Sequence, residues 1–77
     1  MSELGRLRWQ CRRGMKELDV LLSRYLERHY ATASILERQG FVKLLALPDP
    51  ELYALVMGKS DTDDEGVLSV VKSLRQH

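Results

Sequence analysis

Apolar residues in this chain return every three or four positions: Met15, Leu18, Leu22, Tyr25 and Leu26 in one stretch, Val67, Val70, Val71 and Leu74 in another. That is the period of one face of an α-helix, and no alternation of period two is long enough to make a strand. The chain is therefore expected to be all-α.

Capping residues divide it into five helices. Ser2 can cap a short first helix whose Leu4, Leu7 and Cys11 lie at i, i+3 and i+7, with Arg6, Arg8 and Arg12 outward. Gly14 interrupts that pattern, and a second and longest helix runs to about Tyr30. After a connection at Ala31 to Ala33, Ser34 and Glu37 form an S-x-x-E capping box for a third helix through Phe41, Leu44 and Leu45. Gly40 lies inside it. Glycine there costs about 1 kcal/mol relative to alanine, so either packing demands close approach or the helix bends. Pro48-Asp49-Pro50-Glu51 ends one helix and starts the next, with Asp49 as N-cap and Pro50 at the first helical position. The fourth helix ends at Met57 before Gly58, and Thr62 with Glu65 offers a capping box for the fifth. With no linker or internal repeat, the expectation is one compact five-helix bundle, a single domain over residues 1–77.

A chain of 77 residues has room for one core. Its 44% hydrophobic and 30% charged residues suit a folded chain rather than a disordered one. A core this small leaves little space for a deep enclosed active site, so function is expected on the surface. The single cysteine, Cys11, precludes an internal disulfide and a cysteine-built zinc site, and it fits a reducing compartment. No apolar run approaches the roughly 20 residues that cross a bilayer, so membrane insertion is not expected. The Arg-rich first sixteen residues include Glu3 and lead straight into helical patterning, which reads as mature sequence and a cytoplasmic protein.

The net charge of +1 hides an asymmetry. Residues 1–30 carry seven Lys or Arg against four acids, whereas residues 49–66 carry six acids against Lys59. The basic part suits an acidic or phosphate-bearing partner. Nucleic-acid binding through Arg6, Arg8, Arg12, Arg13 and Lys16 is opposed by the acidic second half.

Enzyme signatures are absent: there is no Walker loop, dinucleotide fingerprint or H-E-x-x-H motif, and the two histidines are His29 and His77. His29 falls near the end of the second helix, where an imidazolium favours the helix dipole. His77 is simply the last residue. Cys11 lies in an apolar stripe and reads as a small buried hydrophobe, not a nucleophile. The unusual segment is Arg12-Arg13-Gly14-Met15-Lys16-Glu17-Leu18-Asp19. Locally, Gly14 reads as a turn residue and Glu17 as an acid reaching back to the start of the second helix. Arg13 reads locally as a solvated arginine. Asp19 is either plain helix surface or part of the same contact face, and Trp9 either an exposed anchor or partly buried.

That segment resembles the signature of the succinate dehydrogenase assembly factor (SdhE-type) family, whose core motif R-G-x-x-E is filled by Arg13, Gly14 and Glu17. Leu26-Glu27-Arg28-His29-Tyr30 resembles the family's end of helix two, and Leu44 to Leu52, with Pro48-Asp49-Pro50-Glu51, resembles its third-to-fourth helix junction. Most of the chain is covered. It departs in helix four, reading Leu52-Tyr53-Ala54-Leu55 where the family often has a tryptophan, which puts that part of a partner contact in question.

The resemblance implies a five-helix, non-catalytic helper. It would bind the flavoprotein subunit of succinate dehydrogenase or a fumarate reductase relative and promote covalent attachment of FAD there, holding no cofactor stably itself. It would work as a monomer or weak homodimer. The partner-binding residues so implied are Arg13, Gly14 and Glu17, with Arg8, Trp9, Arg12, Lys16 and Asp19 around them, the Arg13 guanidinium being free to pair bidentately with a partner carboxylate or phosphate. An antitoxin-like regulatory protein that engages a membrane toxin or a cytoskeletal partner would share the same gross features.

Overall fold

The computed structural model describes residues 2–75, so the reading of His77 lies outside them. The elements, in chain order, are α1 (Glu3–Gln10), α2 (Lys16–Arg28), a 3₁₀ turn (Tyr30–Thr32), α3 (Ile35–Leu45), α4 (Asp49–Val56) and α5 (Glu65–Arg75). Among the described residues there is no strand, and none of the helices is long and apolar enough to cross a membrane. The expected all-α, five-helix architecture is what forms. The connection at Ala31 to Ala33 is mostly taken up by the 3₁₀ turn.

Each helix turns its apolar stripe to one shared core. Leu18, Leu22, Tyr25 and Leu26 of α2, Phe41 and Leu44 of α3, Leu52 of α4, and Val70, Val71 and Leu74 of α5 are all buried there. A leucine or valine so placed contributes about 1.5–3 kcal/mol. The rings of Tyr25 and Phe41 meet tilted, with centroids 4.8 Å apart, in the offset geometry that aromatic quadrupoles favour.

The tightest junction is between α3 and α5. A Cβ built on Gly40 would lie 2.1 Å from the carbonyl carbon of Gly66, and one built on Gly66 would lie 2.4 Å from the carbonyl oxygen of Leu36. Two helix backbones touch here with no side chain between them, so the reason for Gly40 is close approach. A hydrogen-bonded carboxylate reinforces the crossing. Glu37 accepts from Tyr25 Oη at 2.5 Å on one oxygen and from the Ser69 hydroxyl on the other, joining α2, α3 and α5.

Four local expectations are corrected. Ser34 caps α3, accepting from the Glu37 N–H at 3.1 Å, but Glu37 does not return the bond because its carboxylate is engaged in the core. Asp49 is not an N-cap: α4 starts at Asp49 itself with Pro48 before it, and the Asp49 carboxylate turns to Arg13. Ahead of α5 the cap is Asp64, whose carboxylate accepts from the Val67 N–H at 3.0 Å, while Thr62 accepts from the Asp64 N–H. Leu4 is exposed, and α1 buries Leu7 with Cys11 just beyond it, while Glu3 at its start accepts from Tyr30 Oη at 2.9 Å. Gly58 behaves as expected. Its φ of +77° closes α4 with bonds from the Gly58 N–H to Leu55 O and from the Lys59 N–H to Ala54 O, the Schellman pattern.

Candidate functional site

The stretch from Gln10 to Asp19 is a tight corner between α1 and α2, and internal hydrogen bonds fix its shape. Cys11 follows the last turn of α1 and is buried, so the corner is anchored from below by its thiol. Burial pushes that thiol up to about 11, well away from a reactive thiolate. Gly14 then takes a φ of +80°, a left-handed conformation in which L side chains are strained. Met15 precedes α2 and has no side chain able to cap it. The carboxylate that fixes the corner comes from one turn into the helix and binds amides ahead of it. The Asp19 carboxylate receives the Arg13 N–H at 2.9 Å and the Gly14 N–H at 3.1 Å. An anion there also suits the positive end of the α2 dipole.

Arg13 points into the molecule. Its side chain is 15% exposed. Nε donates to Gln10 O at 2.9 Å, Nη1 donates to Leu47 O at 3.2 Å and to Asp49 Oδ1 at 3.1 Å, and Nη2 donates to Leu45 O. Of the guanidinium's five N–H groups, four are thereby occupied. The fork meets carbonyls at the end of α3, where backbone acceptors have no intrahelical donor, and a carboxylate in the first turn of α4. The expectation of a solvated Arg13, or of one free for a bidentate grip on a partner, is therefore corrected: its donors serve the chain's own α3–α4 junction.

The remaining candidates are displayed outward. Trp9 is 67% exposed, and the Arg12 guanidinium lies over its ring, 6.0 Å from the centroid, which holds the indole against a cation at the surface. Arg8 is exposed in the last turn of α1. Lys16 and Glu17 are exposed at the start of α2 and line a shallow cleft with Val20 and Leu21. Glu17 does not reach back to the helix start. It occupies the second helical position and faces solvent, and the acid that returns to the corner is Asp19. Asp19 is half-buried with its carboxylate on the Arg13 and Gly14 amides, so it is not plain helix surface.

The arrangement thus has an inner set, Arg13, Gly14 and Asp19, that shapes the corner, and an outer set, Arg8, Trp9, Arg12, Lys16 and Glu17, that the corner presents. Sequence reasoning did not foresee the part of Asp49, which lies 36 positions from Arg13 and whose place beside two prolines suggested only a cap. Among the described residues no group of three or more His, Cys, Asp or Glu side chains could hold a metal ion. A corner that shows a tryptophan, three cations and one acid is equipped to hold another protein's surface.

Comparison with known proteins bears on which one. Residues 5–77 match the Sdh5 family, described as "Flavinator of succinate dehydrogenase". An "FAD assembly factor SdhE" from Methylococcus capsulatus is 41% identical over 75 residues, covering 97% of this chain and 90% of the relative. Another from Vibrio vulnificus is 40% identical over 76 residues, covering 99% and 88%, and one from Haemophilus ducreyi is 35% identical over 77 residues, covering 97% and 94%. With residues 5–77 matched to the family and relatives at 35% to 41% identity aligned over nearly the full chain, the chain belongs to the Sdh5/SdhE family of FAD assembly factors.

Proposed function

We propose that this protein is an FAD assembly factor that binds the flavoprotein subunit of succinate dehydrogenase, or a fumarate reductase relative, and promotes covalent attachment of FAD to that subunit. The observation that carries this is the family match over nearly the full chain, corner included. The protein is not itself an enzyme. The flavin and the partner's own groups carry the bond formation, and the helper orders the partner's site and biases its electrostatics. It holds no FAD stably and acts in the reducing cytoplasm, as a monomer or weak homodimer.

The outer residues of the corner supply the contact. Trp9 offers a large apolar anchor with few rotamers to freeze, and Arg8, Arg12 and Lys16 attract carboxylates or a flavin nucleotide's phosphates near the partner surface. Glu17 meets a partner cation. Gly14, without a Cβ and with open space around its Cα, lets the partner backbone come close. Arg13 and Asp19 contribute by holding the corner in register.

The test is covalent FAD on the flavoprotein subunit, read as in-gel flavin fluorescence, in cells lacking this protein and complemented with wild type or Glu17→Ala. Flavinylation that falls without the protein, returns with wild type and fails to return with Glu17→Ala supports both function and site. Flavinylation that never falls would overturn the function and leave the antitoxin-like reading in its place.

A further inference from the structure

The corner and the α3–α4 junction are joined through a single guanidinium. Arg13 takes Leu45 O and Leu47 O from the end of α3 and Asp49 Oδ1 from the first turn of α4, while Nε holds Gln10 O at the end of α1. Its own backbone N–H, with that of Gly14, is fixed by Asp19. Three helix ends are thus tied to the corner. Three of these acceptors are main-chain oxygens, which no substitution removes. Among the described residues Asp49 is the one side chain that accepts from the Arg13 guanidinium and the one that forms an ion pair with it.

Resting on the assembly-factor reading, we infer that Asp49 is a positioning residue for partner recognition: it holds Arg13 inward and thereby sets where the corner presents Trp9, Arg12, Lys16 and Glu17. Without Asp49 the guanidinium keeps only carbonyl acceptors and loses its countercharge at the junction, so its inward position weakens against solvent. With Arg13 released, the corner loses its link to α3 and α4 and keeps only the Asp19 bonds. A contact face spread over two helix ends then loses its geometry, and affinity falls by lost preorganisation with no partner contact removed. Asp49 itself touches the corner, not the exposed cleft of Lys16 and Glu17.

The experiment measures binding of the purified full chain to the flavoprotein subunit, and covalent FAD on that subunit, for wild type, Asp49→Ala, Asp49→Asn, Arg13→Ala and the double variant Arg13→Ala/Asp49→Ala. Amide exchange is followed in the same variants without partner. Expected are an affinity loss of roughly tenfold or more for Asp49→Ala, a smaller loss for Asp49→Asn, whose amide oxygen still accepts, and no further loss when Asp49→Ala is added to Arg13→Ala. Exchange at the Arg13 and Gly14 amides should quicken in Asp49→Ala while the amides of α3 and α5 stay protected. That combination separates positioning from plain destabilisation. Wild-type affinity in Asp49→Ala, losses that add in the double variant, or loosening of the whole core would each overturn the inference. If wild type neither binds the flavoprotein nor raises its covalent FAD, the functional reading falls first and the inference with it; if wild type does both and Asp49→Ala does too, only the inference falls.

Discussion

At position 14 the constraint is conformation, not room. A Cβ there would meet nothing within 4 Å, yet φ stands at +80°. An L residue in the left-handed region costs about 1–2 kcal/mol. Gly14→Ala should therefore lower the melting temperature by several degrees, at about 4–8 °C per kcal/mol for a domain of this size, as read by circular dichroism. An unchanged melting point would show that the corner has another way to turn. That Gly14 makes a turn was legible in the sequence, since a glycine breaking an apolar period is a local signal. The direction of Arg13 was not, because three of its four acceptors come from residues more than thirty positions away. The exchange of roles between Glu17 and Asp19 was equally hidden. It follows from where α2 begins: starting at Lys16 it places Glu17 outward and brings Asp19 beneath the corner amides.

Among the elements, α3 and α5 carry the crossing on which the bundle is built. Replacing Gly40 by alanine would raise helix propensity by about 1 kcal/mol. The new methyl would lie 2.1 Å from the Gly66 carbonyl carbon, against backbone that cannot rotate aside. The clash outweighs the propensity, and Gly40→Ala should cost about 1–3 kcal/mol net or more. In urea this appears as a lower midpoint with an unchanged slope; a higher midpoint would mean that the helices separate freely. The helices themselves were legible, because apolar period and caps are local properties. Gly66 was not recognised, since nothing in the one-dimensional pattern pairs it with Gly40. The caps were half legible for a similar reason. Ser34 caps as its position suggests, but Glu37 and Asp49 answer to partners on other helices, and Asp64 rather than Thr62 closes the start of α5.

Taken whole, the molecule keeps its weak acids protonated in a shared core, and that sets its alkaline limit. Burial pushes the Cys11 thiol from about 9 up to about 11. Burial, then the bond to Glu37, raises the Tyr25 phenol, and burial with the bond to Glu3 raises Tyr30. In the unfolded chain these groups lose their protons at ordinary values, so their contribution to stability is complete below about pH 9 and is lost as pH rises through the folded values. Urea midpoints should be level from pH 7 to about 9 and fall beyond. Cys11→Ala should delay the fall until the tyrosines ionise, near pH 10; a midpoint that rises with pH in this range would contradict the assignment. What the sequence determined by itself was every property that resides in neighbouring residues: five helices, the apolar faces that make one core, a turn at Gly14, and the family signature around it. Only the tertiary structure decided which polar groups face each other. The inward Arg13, its tie to Asp49, the Gly40–Gly66 contact and the bridging Glu37 each depend on the relative placement of separate helices, and that placement is fixed by the close packing of the whole core.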